Sequence, residues 1–165
     1  TKMPEASILK GLLETLTDSE NVNFTNAVEL AEKNGLKIST EKEKELENYK
    51  SQIRLKLKSE KSEVEIRGTI SSGEPRITFI QNFKTNFVPT QHLLLTRHRD
   101  QPGIIGRVGT LLGENEINIA NMDLGRNKVG GEALMILDVD DAIPDPIRDE
   151  LKSWDGFEEV ICADL

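Results

Sequence analysis

Three polar residues near the middle of the chain have types and spacing that suit a small zwitterion. His98 and Asp100 stand two apart in the polar turn Arg97-His98-Arg99-Asp100-Gln101, and Asn118 opens an apolar segment further on. Pro102-Gly103 follows the turn and starts a helical pattern. A helix N-terminus leaves backbone N–H groups without partners and carries partial positive charge, so it suits a carboxylate or phosphate. Asp100 would then hold an α-ammonium, the N–H groups of Gly103, Ile104 and Ile105 an α-carboxylate, and His98 or Asn118 a small polar side chain. The residues also permit a plainer account. Asp100 at or near the N-cap is a helix cap, Asn118 a turn residue after Gly113, and His98 a solvated loop histidine.

The elements around these residues are legible. Leu93-Leu94-Leu95 reads as a strand entering the turn, a helix runs from Pro102 to near Gly113, and a second strand covers Ile117 to Leu124. If the two strands are neighbours, Asn118 can lie beside the turn. Pro102 fits a first helical turn, where its missing N–H costs nothing. Ile105, Val108, Leu111 and Leu112 supply the apolar stripe. Gly103, Gly106, Gly109 and Gly113 each cost about 1 kcal/mol relative to alanine inside a helix. Their recurrence suggests close approach of another backbone or a ligand.

Bulk composition narrows the class. The 165 residues suffice for one medium domain or two small ones, and 36% hydrophobic with 30% charged residues suits a soluble protein with a modest core. The single cysteine, Cys162, excludes an intrachain disulfide and fits a reducing, cytoplasmic setting. No apolar run approaches the roughly 20 residues of a membrane span, and the first residues lack a secretory pattern. The net charge of −8 is uneven: residues 1–91 carry 14 basic and 14 acidic residues, residues 92–165 carry 7 and 15. The acidic second half argues against nucleic acid and anionic membranes as partners. The shift near residue 90, with Pro89 at it, reads as a boundary between domains 1–89 and 92–165.

Along the first half, Ile8, Leu9, Leu12, Leu13 and Leu16 fall on one face of a helix over 5–17, ended by Asp18-Ser19-Glu20. Thr25 or Asn26 caps a second helix that stops at Gly35. The polar run 41–50 reads as an exposed loop. Ile53, Leu55, Leu57, then Val64, Ile66, Ile70, alternate with charged residues, and segments 76–80 and 83–88 complete an antiparallel meander. In the second half a Gly- and Asn-rich turn at 125–131 leads to a strand over 132–139. An acidic helix start then carries Ile147, Leu151 and Trp154 on one face, with Trp154 read as core. Gly156 stops that helix before a last strand at 157–163. The order βαββαβ makes the second half an α+β, ferredoxin-like fold.

The pattern strand–Asp100-Gln101-Pro102-Gly103–helix–Asn118-Ile119-Ala120 resembles the ACT domain, an amino-acid-binding module. With Gly125-Arg126 and Gly130-Gly131, the whole second half is similar to the C-terminal regulatory domain of the D-3-phosphoglycerate dehydrogenase family. Leu9-Lys10-Gly11-Leu12-Leu13, Val22-Asn23-Phe24-Thr25-Asn26-Ala27 and Ala31-Glu32-Lys33-Asn34-Gly35 resemble that family's intervening, allosteric substrate-binding domain. The resemblance implies L-serine bound between two ACT domains at positions matching His98, Asp100 and Asn118. It also implies homodimers or higher assemblies, and an anion contact at a position matching Arg76, which the residues alone read as a solvated strand charge. It further implies that the chain lacks the family's first strand, and that it is the regulatory part of a longer NAD-dependent enzyme whose catalytic domains lie elsewhere.

No G-x-G-x-x-G follows a strand and no P-loop is present, so no cofactor is expected on this chain. His92, His98 and Cys162 are too few and scattered for a metal site or a nucleophilic triad, so no catalytic residue is assigned. Three rivals stay open. One is the regulatory subunit of an iron–sulfur L-serine dehydratase. Another is an acyl phosphatase using Arg97 and Asn118, and the third an oligomerisation module without a ligand.

Overall fold

Alternating and helical apolar patterns become four helices and eight strands in a computed structural model, which describes residues 2–16, 21–41 and 49–165. The expected helix end at 18–20 and most of the polar run 41–50 lie outside the described residues. Packing divides the chain into two compact units, 1–45 and 46–165. The composition shift near residue 90 separates two sheets within the second unit.

In the first unit, α1 (Lys2–Leu16) and α2 (Ala27–Lys33) bury Leu9, Leu13, Val22, Ala27 and Ala31 against one another. Leu16, expected on the buried face, is exposed. Asn26 stands at the N-cap of α2 but its side chain does not cap it. Its Oδ1 accepts from the Asn23 N–H at 2.8 Å, and Asn23 Oδ1 accepts from Thr25 and Asn26. The polar residues therefore knit the loop before the helix. Gly35, with φ +81°, ends α2 and lets Leu36 N–H reach the Ala31 carbonyl.

The second unit holds two four-stranded antiparallel sheets, which with the helices make an α+β fold. The first is the expected meander of β1 (Ile53–Lys58), β2 (Glu63–Ser71), β3 (Glu74–Ile80) and β4 (Phe83–Phe87). The second contains β5 (His92–Arg99), β6 (Ile119–Arg126), β7 (Glu132–Val139) and β8 (Phe157–Asp164) in the order β6-β7-β5-β8. With α3 (Ile104–Glu114) and α4 (Asp145–Ser153) it forms the ferredoxin-like βαββαβ arrangement. One face of this sheet buries Leu94, Met135, Leu137 and Val160 against Val108, Leu111, Leu112, Ile147 and Leu151 of the helices. The other face buries Leu93, Leu134 and Ile136 against Phe83 and Phe87 of β4.

Gly103, with φ +91°, is the residue before α3, so the helix begins at Ile104, two residues later than Pro102 suggests. This shift rotates the stripe. Ile104 is buried and Ile105 is 42% exposed. Apart from each glycine's sequence neighbours and the helix's own backbone, nothing among the described residues lies within 4 Å of where a Cβ would stand at Gly103, Gly106, Gly109 or Gly113, so no close approach to α3 comes from them. The close approach is at Gly125 on β6, where a Cβ would come within 2.7 Å of the Lys84 carbonyl oxygen.

Two glycine substitutions should therefore have opposite signs. Gly125→Ala should lower unfolding free energy by about 1–3 kcal/mol through overpacking. Gly106→Ala should raise it by roughly 0.5–1 kcal/mol through helix propensity alone. Urea unfolding measures both. Destabilisation at Gly106 would mean that another backbone or a ligand occupies that helix face.

Candidate functional site

β5 ends in the turn that carries the candidate residues, and two neighbouring corners hold that turn. Arg99 N–H donates to the Gly156 carbonyl at 2.8 Å and Asp100 N–H to the Gly131 carbonyl at 2.7 Å. One bond reaches the α4–β8 corner, the other the β6–β7 hairpin. Asp100 does not cap α3 as the plainer reading held. Its Oδ2 accepts from Gly130 N–H at 3.1 Å and lies 3.4 Å from Arg126 Nη1. The N-cap of α3 is Gly103, and among the described residues no side chain caps the helix. The N–H groups of Ile104, Ile105 and Gly106 have no backbone acceptor among the described residues. An aspartate and an uncapped helix N-terminus thus lie side by side. Together they offer one negative and one partially positive pole.

His98 is no solvated loop residue. It is the last helix-facing position of β5 and is 2% exposed. Its Nδ1 lies 3.2 Å from the buried Thr96 hydroxyl, and its ring stacks on Phe157 with centroids 5.3 Å apart. Phe157 meets Trp154 edge-on at 5.5 Å, and the Arg107 guanidinium lies 3.8 Å over the Trp154 ring. Trp154 packs against the core, as its position on the face with Ile147 and Leu151 implies. Burial pushes the His98 imidazole below its ordinary pKa, outweighing the Thr96 backbone and the Asp100 charge, which pull the other way. His98 is therefore neutral at neutral pH.

Asn118 is not beside the turn. The register places Arg126 and His98 on either side of Ala133 at one end of β7, whereas Ile119 pairs with Val139 at the other. Six residues of strand put Asn118 about 20 Å from the turn within one chain. There Asn118 Nδ2 donates to Asp140 Oδ2 at 2.9 Å, and Asp140 N–H donates back to the Asn118 carbonyl. The inference that neighbouring strands would bring Asn118 to the turn fails because β7 lies between β6 and β5, and because β6 begins at the far end of the sheet. The same geometry separates Arg97 from Asn118. Arg97 faces away from the helices towards Glu158 and Glu159, each 3.5 Å away, so the pair needed for acyl phosphate chemistry does not form. Arg76 on β3 is engaged by Glu74 and Asn86.

Sequence reasoning missed Arg126, Thr96 and Phe157. The Gly-rich hairpin at 130–131 signalled the brace on Asp100, but nothing local says that Arg126 returns to it or that Phe157 stacks on His98. Among the described residues no cluster of three or more His, Cys, Asp or Glu is arranged to hold a metal, and no helix is long and apolar enough to cross a membrane.

The lowered pKa of His98 has a consequence for stability. Above about pH 6.5, the unfolded value, both states are neutral and the group contributes nothing. As pH falls below it the unfolded chain binds the proton first, so stability declines until pH passes the folded value. The melting temperature should fall on acidification through this range, and His98→Gln should flatten the fall. Equal slopes in both proteins would assign the decline to other groups.

Comparison with known proteins adds to this geometry. The family model for the D-3-phosphoglycerate dehydrogenase intervening domain matches residues 1–81, and that for the ACT domain matches residues 92–153. The chain is 37% identical to the D-3-phosphoglycerate dehydrogenase of Archaeoglobus fulgidus over 167 residues, which cover 100% of this chain and 32% of that protein. It is 37% identical to that of Bacillus subtilis over 160 residues, 96% of this chain and 30% of that protein. It thus spans about a third of the length of these relatives. It is also 30% identical to a probable L-serine dehydratase beta chain of Bacillus subtilis over 157 residues, 94% of this chain and 70% of that protein. Matched in turn by the intervening-domain and ACT-domain models, the chain belongs to the D-3-phosphoglycerate dehydrogenase family and corresponds to its C-terminal regulatory region.

Proposed function

We propose that this chain is an amino-acid sensor whose ligand is L-serine, regulating an NAD-dependent D-3-phosphoglycerate dehydrogenase by feedback from the cytoplasm's serine pool. The observation that carries the proposal is the turn itself. Asp100 supplies a carboxylate, the start of α3 N–H groups without a backbone acceptor among the described residues, and His98 a buried neutral imidazole, all on one short stretch. Asp100 receives the α-ammonium, the N–H groups of Gly103, Ile104 and Ile105 the α-carboxylate, and His98 the hydroxyl. Arg126, 3.4 Å from Asp100 and half exposed, adds positive charge beside the carboxylate position.

Asn118 joins this site only from a second copy. Its place at the far end of the sheet suits a two-fold pair of ACT domains, in which the same patches of both copies meet and each far end abuts the other's turn. The homodimer is therefore part of the proposal, with residues 92–165 as the ACT domain and 1–89 as the intervening domain. Arg76 remains the candidate anion contact of the latter, in competition with Glu74 and Asn86. Serine regulates only through different affinity for two states of the enzyme. NAD and the catalytic residues belong to domains outside this sequence.

A second reading is favoured by one observation, the 70% coverage of the probable L-serine dehydratase beta chain. The same turn would then serve a partner chain of different chemistry. Both readings need an occupied turn, whereas an assembly module needs none.

Asp100→Asn keeps an acceptor for Gly130 N–H and removes the charge. It should weaken L-serine binding by about ten- to a hundredfold, the worth of one charged hydrogen bond, with unchanged melting temperature; unchanged affinity in calorimetry rejects the site. A mixing experiment tests the shared site. Asp100→Asn and Asn118→Ala chains, each weak alone, should regain one wild-type site per mixed dimer when combined. No recovery would confine the site to one copy.

A further inference from the structure

We propose that Thr96 and Phe157 are positioning residues that hold the His98 imidazole in one orientation and one tautomer, its proton on Nε2 and directed at a ligand oxygen. The proposal rests on the reading of the turn as a ligand site and adds what fixes its donor.

Thr96 is completely buried, and His98 Nδ1 at 3.2 Å is the hydrogen-bond partner of its hydroxyl among the described residues. If Nδ1 carried the proton and donated to the Thr96 hydroxyl, the hydroxyl hydrogen would be left without an acceptor among the described residues. A stranded buried donor is rarer and costlier than a spare acceptor lone pair. The hydroxyl therefore donates to Nδ1, and neutral imidazole then keeps its proton on Nε2. Nε2 has no hydrogen-bond partner among the described residues, yet it is not one of the side-chain nitrogens shut off from solvent without a partner. The small exposed remnant of His98 thus includes Nε2, and that nitrogen is the one available to a ligand.

Phe157 fixes the plane. Its ring lies 24° from the His98 ring at a centroid distance of 5.3 Å, and Trp154, three residues earlier at the α4–β8 corner, meets it at 88°. Arg107 then clamps Trp154 from the first turn of α3. One layer of rings therefore connects the helix that would hold the carboxylate with the imidazole that would hold the hydroxyl. A rotated imidazole would lose both its stack and the Thr96 bond.

Long-range 1H–15N NMR of the ligand-free 165-residue chain at neutral pH reads the tautomer directly. We expect a bare Nδ1 and a protonated Nε2 in the wild type and in Thr96→Ser, and a mixture of tautomers in Thr96→Val. Phe157→Leu should broaden the His98 ring signals as the imidazole samples further rotamers. A proton on Nδ1 in the wild type, or a Thr96→Val spectrum identical to it, overturns the proposal. The wild-type spectrum decides the tautomer alone, so a variant that failed to fold does not spare the proposal. Titration with L-serine forms the second arm, with Thr96→Val expected to bind about twofold more weakly as the competent tautomer falls to about half. Serine binding with the proton on Nδ1 rejects the positioning role and keeps the sensor. The expected tautomer without serine binding rejects the sensor and leaves the imidazole geometry standing.

Discussion

The larger unit depends on β5 being buried on both faces. Leu94, Thr96 and His98 point to the helices, while Leu93 points to Phe83 and Phe87 of β4. A strand covered on both sides cannot slip by one residue without moving its apolar set to the wrong layer. Its register with β7 and β8 is therefore fixed along its length. That fixed register delivers the turn at 97–103 to one place, between the β6–β7 hairpin and the α4–β8 corner. Two backbone bonds, from Arg99 and Asp100, hold it there.

Rigid support of this kind is what a small-ligand site needs, because binding energy then goes into contacts and not into ordering a loop. The residues divide the work. Asp100 is anchored through Gly130 N–H and yet lies beside an exposed arginine, so its charge stays available. The first turn of α3 is left uncapped, which Gly103 permits by taking a left-handed conformation that no side chain favours. His98 is sealed except at its edge. Neutral imidazole, carboxylate and helix end together match a polar zwitterion better than a phosphate, which Asp100 would repel.

Much of this was legible in the sequence. Period-2 alternation at Ile53 to Leu57 and Val64 to Ile70 specified the strands, and helical spacing at Ile147, Leu151 and Trp154 specified α4, because both periods follow from local geometry. The polar turn from His98 to Gly103 and its likeness to an ACT domain were also visible. What local pattern does not carry is strand order. Asn118 was placed beside the turn on the assumption that β6 adjoins β5, whereas β7 intervenes. The start of α3 was misplaced for a different reason. Pro102 suits a helix start, but Gly103 at φ +91° breaks the helical path one residue later, so Ile104 faces the core in place of Ile105. Arg126 and Phe157 reach His98 and Asp100 only through tertiary pairing, which no spacing in the chain announces, whereas Thr96 stands two residues from His98 on one strand face, a period-2 relation that the sequence does carry.

The central claim is that the turn between β5 and α3 is built for an amino acid. Calorimetric titration of the purified chain with L-serine, with glycine and L-alanine beside it, tests that most directly. The account predicts saturable binding that is strongest for serine, since only serine offers His98 a hydroxyl. A folded dimer that binds none of the three would contradict it and would leave assembly as the role of these residues.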